Sequence, residues 1–197
     1  MNGKERYNFS FTSGTLMPTE MSILASEYIR VKEWDIVQRE CAMGTLLTFR
    51  TLMTCRKIGA ILISRLKEFS LTELNYFVKT GVEEAKIFCW VAVCRRYTFI
   101  RDFMVEVVRE HYLCGMREVT YSDYASFFNG KAQFHPEMEG LSDHTQSKIR
   151  QMVFKMMTEA GIIESKTHIV PTIMPPNLLE ILPHEDYLSF PMFVRED

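Results

Sequence analysis

Hydrophobic residues recur along this chain mainly at spacings of three and four positions, which is typical of amphipathic α-helices. The clearest apolar stripe of the N-terminal half lies within residues 49–69. Its members are Leu52, Cys55, Gly59, Leu62, Leu66 and Phe69. Polar and basic side chains occupy the opposite side, and Ile61 is expected to point outward among them. The pattern therefore predicts a helix with one buried face and one basic face.

The same spacing predicts further helices and leaves one place for β-structure. Their approximate bounds are 19–31, 33–43, 71–77, 83–113, 120–128, 143–160 and 178–182. The segment 83–113 is apolar nearly all round in its first half, which places it at the centre of a helical bundle. A break is expected in it near Thr98. Two β-rich segments, 162–164 and 168–172, follow Gly161 and predict a small hairpin.

The helix predicted over residues 143–160 carries the most regular stripe of the chain. The buried positions are Ile149, Met152, Val153, Met156, Met157 and Ala160. The opposite side presents His144, Ser147, Gln151 and Lys155, with Lys148 and Arg150 flanking, and no acid is among these six residues. Gln pairs well with adenine, and Arg and Lys pair with guanine or phosphate. This side is therefore a candidate DNA-binding surface.

The order of elements across residues 120–172 is helix, connection, amphipathic helix, glycine stop and hairpin. This order indicates a winged helix-turn-helix, in which the last helix enters the DNA major groove. Lys166, at the tip of the predicted hairpin, suits a phosphate contact. Two alternatives remain open for this segment. Winged helices also serve as protein-binding modules, and a small subdomain can simply pack on the bundle.

Charge is segregated along a chain whose formal net charge is only −2. Residues 41–80 hold six basic and two acidic side chains, whereas residues 176–197 hold one basic and five acidic. A basic middle can bind a polyanion locally, although such a face can also be merely solvated. The second candidate DNA-binding face lies on the helix 49–69. Its residues are Arg50, Lys57 and Arg65.

No catalytic, metal or cofactor site emerges from the sequence. The five cysteines form no CxxC pair and have no histidine at zinc-ligand spacing, so they are expected to be buried thiols. Glycine-rich phosphate loops and the HExxH and GxSxG motifs are missing. The most apolar run, residues 87–94, is far shorter than the ~20 residues of a membrane span. We expect a cytoplasmic, non-enzymatic protein with neither a membrane nor a small-molecule substrate as partner.

Several separated motifs carry a family resemblance. They are Asn8 to Thr12 with Gly14, Ala92 to Tyr97 continuing through Val107, and Phe134 to Glu137 continuing to Gly161. Over roughly residues 7–176 the sequence resembles the BrxA family, the small accessory proteins of BREX bacteriophage-resistance systems. The resemblance implies a bundle like that of the NusB antitermination factor, helix-turn-helix elements and binding of double-stranded DNA. It supplies no active site.

Taken together, these patterns predict a mainly α protein of three segments. Residues 1–115 form the NusB-like helical bundle, 116–176 the winged helix-turn-helix with its β-hairpin, and 177–197 a Pro-rich acidic tail packing on the body. The leading hypothesis is a non-enzymatic, double-stranded DNA-binding component of a BREX system, with other BREX proteins as further partners. The alternatives are an adaptor that docks larger defence subunits through Ile61 and the tail, and RNA binding through the bundle.

Overall fold

The computed structural model describes residues 6–193, and the chain divides into two units. One unit is formed by residues 16–96, and the other by residues 6–15 together with residues 97–193. This division differs from the three predicted segments, because the boundary falls after Arg96. In addition, residues 6–15, which we call the N-terminal arm, belong to the same unit as residues 97–193. Of the predicted acidic tail, residues 177–193 belong to that unit, and Arg195, Glu196 and Asp197 lie outside the described residues.

The unit of residues 16–96 consists of helices. They are α1 (Pro18–Val31), α2 (Trp34–Ala42), α3 (Leu52–Leu66), α4 (Leu71–Phe77) and α5 (Val82–Arg96). Side-chain caps define two of the starts: the Thr51 hydroxyl accepts the Thr54 N–H, and Ser70 forms a capping box with Glu73. Helix α5 is apolar nearly all round, and its residues from Phe88 to Cys94 are buried.

Helices α2 and α3 approach each other closely at a glycine. A Cβ placed on Gly59 would lie 2.1 Å from the Cys41 Sγ, so only glycine fits at this position without movement. The Cys41 thiol in turn donates a hydrogen bond to the Cys55 carbonyl at 3.4 Å. The Cys41 thiol is therefore part of the contact between the helices. The prediction of buried thiols is confirmed for Cys41, Cys55, Cys89 and Cys94, but it is wrong for Cys114, which is exposed.

The second unit contains the remaining elements. A continuous helical stretch comprises α6 (Thr98–Phe103), a π-helical segment (Met104–Arg109) and α7 (Glu110–Leu113). After it come α8 (Tyr121–Ala132), α9 (Asp143–Glu159), β1 (Ile163–Glu164), β2 (His168–Ile169) and α10 (Pro176–Ile181). Short 3-10 segments lie at Ser10–Ser13, Pro136–Met138 and His184–Ser189. The predicted break near Thr98 is confirmed, because Tyr97 leaves the helical conformation with φ −123° and ψ 87°.

Aromatic rings form much of the core of this unit. Phe103 packs edge-on against Tyr124 with ring centroids 5.4 Å apart, and it also contacts Phe127 and Phe154. Phe99 contacts Tyr7 of the N-terminal arm at 5.3 Å. Helices α6, α8 and α9 are thus joined through side chains that each bury a large apolar area.

Strands β1 and β2 form an antiparallel hairpin in which Ile163 pairs with Ile169 and Glu164 with His168. Glu118, which precedes α8, adds an isolated antiparallel bridge to His168. The Val119 N–H donates to the Thr167 carbonyl at 2.9 Å, and the Ile169 N–H donates to the Arg117 carbonyl at 2.8 Å. The prediction of a mainly helical protein with a small β-hairpin is confirmed.

Two features of α3 differ from the sequence prediction. The helix covers residues 52–66 rather than 49–69, and Leu52, expected in the buried stripe, is exposed in its first turn. Ile61 and Arg65, both expected to point outward, are buried. The reason is that neighbouring elements cover more of the helix than a single stripe, so that Ile58, Ile61, Leu62 and Ile63 are all buried.

Candidate nucleic-acid interface

Helix α9 is fixed at both ends by local interactions. The Ser142 hydroxyl accepts the Thr145 N–H at 3.3 Å, and the Gln146 side chain donates to the Leu141 carbonyl at 2.9 Å. At the other end Gly161 takes a left-handed conformation with φ +71°, which turns the chain into β1. The predicted stripe holds in the structure, except that Ala160 is only partly buried and follows the last helical residue.

The opposite side of α9 brings the predicted surface residues together on one helix. His144, Ser147, Lys148, Gln151 and Lys155 are exposed, and Arg150 is partly buried. The Arg150 guanidinium lies 4.8 Å from the centre of the Tyr121 ring, a cation–π contact that restricts its position. Lys155 is 3.9 Å from the Glu159 carboxylate, so its charge is partly balanced at the C-terminal end of the surface.

The hairpin presents Lys166 at its tip, where the side chain is exposed. Ser165 and Lys166 both have positive φ, at 47° and 78°, which closes the short turn between β1 and β2. Because β1 begins four residues after the last residue of α9, the chain carries the hairpin close to the helix end. Lys166 therefore belongs to the same unit as the α9 surface.

A shallow groove of about 160 Å³ separates α8 from α9, and no sequence pattern indicated it. Its polar lining comes from Asn129 of α8 and from Asp143, Gln146, Ser147 and Arg150 of α9. At its base lies Tyr124, whose hydroxyl has no hydrogen-bond partner among residues 6–193. Burial raises the pKa of Tyr124, and the nearby Arg150 charge only partly offsets this. The phenol consequently stays neutral and able to donate.

The connection between α8 and α9 is held by the N-terminal arm. The Tyr7 ring stacks on His135 with centroids 3.8 Å apart, and the Tyr7 N–H donates to the Glu137 carboxylate at 2.6 Å. The Tyr7 hydroxyl donates to Asp102 at 2.6 Å, and Lys131 bridges Asp102 and Glu106. Burial and the Asp102 carboxylate both raise the pKa of Tyr7. We call these contacts the Tyr7 brace.

The second predicted face, on α3, is only partly present. Arg50 and Lys57 are exposed as expected, but the prediction that Arg65 lies on an outward face is wrong, because its side chain is fully buried. Arg56, which was not among the predicted residues of this face, is exposed beside Lys57. This face belongs to the unit of residues 16–96, and α9 belongs to the other.

We examined residues 6–193 for groups of metal ligands and for reactive thiols. No three His, Cys, Asp or Glu side chains in residues 6–193 are grouped so as to hold a metal ion. Burial raises the pKa of the Cys41 and Cys89 thiols, which keeps both as unreactive thiols at neutral pH. None of the helices between residues 6 and 193 has the length and apolar character that crossing a membrane requires.

These features define a mainly helical protein in which an exposed cationic helix is followed directly by a small antiparallel hairpin. The BrxA family model matches residues 5–186, and the chain belongs to the BrxA family. It is similar to the BREX protein BrxA of Bacillus cereus (strain H3081.97), with 23% identity over 138 residues, covering 68% of this chain and 67% of that protein. It is also similar to the BREX protein BrxA of Escherichia coli O9:H4 (strain HS), with 20% identity over 152 residues, 77% of this chain and 71% of the relative.

A solved structure supports the fold. The crystal structure of an uncharacterized protein from Magnetospirillum magneticum superposes with a TM-score of 0.79. The match covers 89% of this chain and 91% of the other at 19% sequence identity. At that identity the similarity extends to the fold and carries no information on ligands or activity.

Proposed function

We propose that this chain is a non-enzymatic component of a BREX phage-defence system that binds double-stranded DNA through α9 and the β1–β2 hairpin. Membership of the BrxA family supports the defence role, since both relatives are named BREX proteins. The DNA-binding part of the proposal rests on one observation. Lys148 and Lys155 are exposed on α9 immediately before the hairpin, and the partly buried Arg150 flanks them.

The arrangement of elements supports the assignment of a winged helix-turn-helix. Helix α7, the backbone segment at Glu118, helices α8 and α9 and the hairpin follow one another in the order typical of that motif. The segment at Glu118 pairs with β2, so the hairpin is extended by a third backbone segment. In such modules the last helix lies in the major groove and the hairpin contacts the backbone.

The residues of the surface are suited to different parts of the DNA. Ser147 and Gln151 lie on the outward side of α9 and are suited to base edges, because short polar side chains and amides form specific hydrogen bonds there. Lys148, Lys155 and Lys166 are suited to phosphates on either side of the groove. Arg150 is held over Tyr121, which orders it for a contact beside the middle of the helix.

Fluorescence anisotropy with a labelled DNA duplex at several salt concentrations tests the proposal. We expect log affinity to fall linearly with log salt, with a slope of about 0.9 per phosphate contact. The double variant Lys148→Glu/Lys155→Glu should abolish binding at moderate salt. Lys79→Glu, an exposed lysine of the other unit, is the matched control and should bind like the wild type. Unchanged binding by the α9 variant would exclude this helix as the interface.

A structured RNA competitor addresses the alternative of RNA binding. The major groove of A-form RNA is too narrow for an α-helix such as α9, whose diameter with its side chains is about 10–12 Å. Duplex DNA should therefore displace labelled DNA at lower concentration than an RNA hairpin of equal length. The reverse order of competition would favour RNA as the ligand.

A further inference from the structure

Three large apolar side chains are exposed where α2 ends and α3 begins. Met43, Leu52 and Met53 have 61%, 61% and 81% of their surface accessible. They lie close together, because Leu52 Cδ2 would be 2.8 Å from a Cβ on Gly44, the neighbour of Met43, and Met53 follows Leu52 in the chain. We call these three residues the Met–Leu patch. Apolar side chains clustered in this way on a surface usually mark a site of interaction.

Basic residues border the Met–Leu patch. Arg56 and Lys57 follow Leu52 and Met53 by four residues and are thus one helical turn further along the same side of α3. Arg50 precedes the helix and is exposed as well. The first turn of α3 contains no acid, and none of these three basic residues forms an ion pair within residues 6–193. The border is therefore positively charged and open to a ligand.

The platform beneath the patch is rigid. The Thr51 cap fixes the start of α3, the Cys55 thiol donates to the Leu47 carbonyl at 3.3 Å, and the Cys41 thiol donates to the Cys55 carbonyl. Gly59 allows α2 and α3 to remain in close contact behind it. Exposed side chains on a fixed platform present a preformed surface, which lowers the entropy lost on binding.

We propose that the Met–Leu patch docks an acidic, amphipathic helix of a partner protein. Its apolar side chains would cover Met43, Leu52 and Met53, and its carboxylates would lie against Arg56 and Lys57. Charge complementarity selects an acidic partner, and flexible methionines are well suited to receiving the apolar face of a helix. This inference is independent of the proposed DNA binding, which uses α9 and the hairpin.

Two other anionic partners fit the patch less well. Side chains that wedge between DNA base pairs act as narrow single insertions, whereas this patch is broad and built from two helices. A helix that lies on a membrane exposes an apolar face along its whole length. The outward side of α3 is apolar only in its first turn and basic in the second, while its long apolar face is buried.

Fluorescence anisotropy with a labelled synthetic peptide tests the inference on the full chain. The probe is a helix of about 20 residues with Leu at positions i, i+3, i+4 and i+7 and Glu on both sides of that stripe. Met53→Gln should weaken its binding by about ten-fold or more, the scale expected for losing one buried apolar contact. Lys57→Glu should also weaken binding, because it sets a carboxylate against the carboxylates of the peptide. Ile173→Gln and Lys79→Glu are matched controls, because both residues are exposed elsewhere.

The possible results distinguish docking of an acidic helix from binding of DNA, of a membrane or of a second copy at this patch. Support requires that the peptide binds, that the two α3 variants lose it, and that Met53→Gln keeps wild-type affinity for duplex DNA. Equal binding of a peptide with Lys in place of Glu, or unchanged binding by Met53→Gln, would overturn the inference. The inference would also be overturned if Met53→Gln kept peptide binding and instead lost DNA binding, binding to anionic phosphatidylserine vesicles or self-association. Failure of DNA binding by the wild type would affect only the proposed function.

Discussion

The turn between β1 and β2 places two L-amino acids in the left-handed region of backbone space. Ser165 has φ 47° and Lys166 has φ 78°, and a side chain in this region is disfavoured by about 1–2 kcal/mol. Glycine would be the residue of lowest strain at either position. That a lysine stands at the tip instead is consistent with a role for its charge in the proposed phosphate contact.

Replacing Lys166 by Gly should therefore change stability and binding in opposite directions. We expect the free energy of unfolding to rise by about 1 kcal/mol, because strain is relieved at positive φ. DNA affinity should fall, and the salt slope should decrease by about 0.9, the value for one phosphate contact. Urea denaturation and anisotropy measure the two effects. Ser165→Gly is the control, since it should gain stability and keep its affinity; a loss of affinity there would contradict the role of Lys166.

The ion pair of Glu73 and Arg95 affects how the stability of the protein depends on pH. Their side chains meet at 2.5 Å, and Glu73 also accepts the Ser70 N–H in the capping box of α4. Burial alone would raise the pKa of Glu73, but the hydrogen bonds from Arg95 and Ser70 outweigh it and hold the pKa below its usual value of 4.5. The charged form is therefore favoured in the folded state.

The sign of this shift predicts how stability depends on pH. The contribution of Glu73 is fully present above its unfolded pKa, near 4.5, and is lost as pH falls through the lowered folded value. Wild type should thus be more stable than Glu73→Gln at pH 7, and the difference should shrink below pH 4.5. Urea denaturation at a series of pH values measures it, with the exposed Glu83→Gln as control. A difference that is constant with pH would contradict the ionised pair.

At the level of elements, the sequence predicts best where one face of a helix is buried. Helix α9 has a single buried stripe, and the periodicity identified both that stripe and the opposite surface. Helix α3 is covered on more than one side. A single apolar stripe marks only one of these sides, so it could not indicate that Ile61 and Arg65 are buried. The Tyr7 brace joins residues about 95 and 130 positions apart, and no local pattern indicates such contacts.

The contact between α2 and α3 offers a prediction on an element pair. Gly59→Ala should destabilise the protein by about 1–3 kcal/mol, because its Cβ would lie 2.1 Å from the Cys41 Sγ and the helices would have to separate. Adding Cys41→Ala should recover part of the loss by removing that sulfur. Gly130→Ala in α8 is the control: nothing lies within 4 Å of its Cβ, and alanine is the better helix former. Chemical denaturation of the four proteins compares them.

At the level of the whole molecule, the first described residues pack with the last part of the chain. The sequence-based prediction assigned residues 1–115 to a single helical bundle. In the structure residues 6–15 belong to the unit of residues 97–193, where Tyr7 and Phe11 are buried. The arm thus supports the connection that leads into α9, and the candidate DNA-binding surface depends on residues from both ends of the chain.

Removing the Tyr7 side chain should therefore weaken one unit more than the other. We expect Tyr7→Ala to lose about 3–5 kcal/mol of local stability, as is usual when a large buried aromatic is truncated. Hydrogen exchange should accelerate in α6, α8 and α9, while amides of α3 and α5 keep their protection. Tyr7→Phe keeps the ring stacked on His135 and removes only the Asp102 hydrogen bond, so its effect should be smaller. Equal loss of protection in α3 and α9 would mean that the two units open together, and the arm would then stabilise the whole chain and not the DNA-binding unit alone.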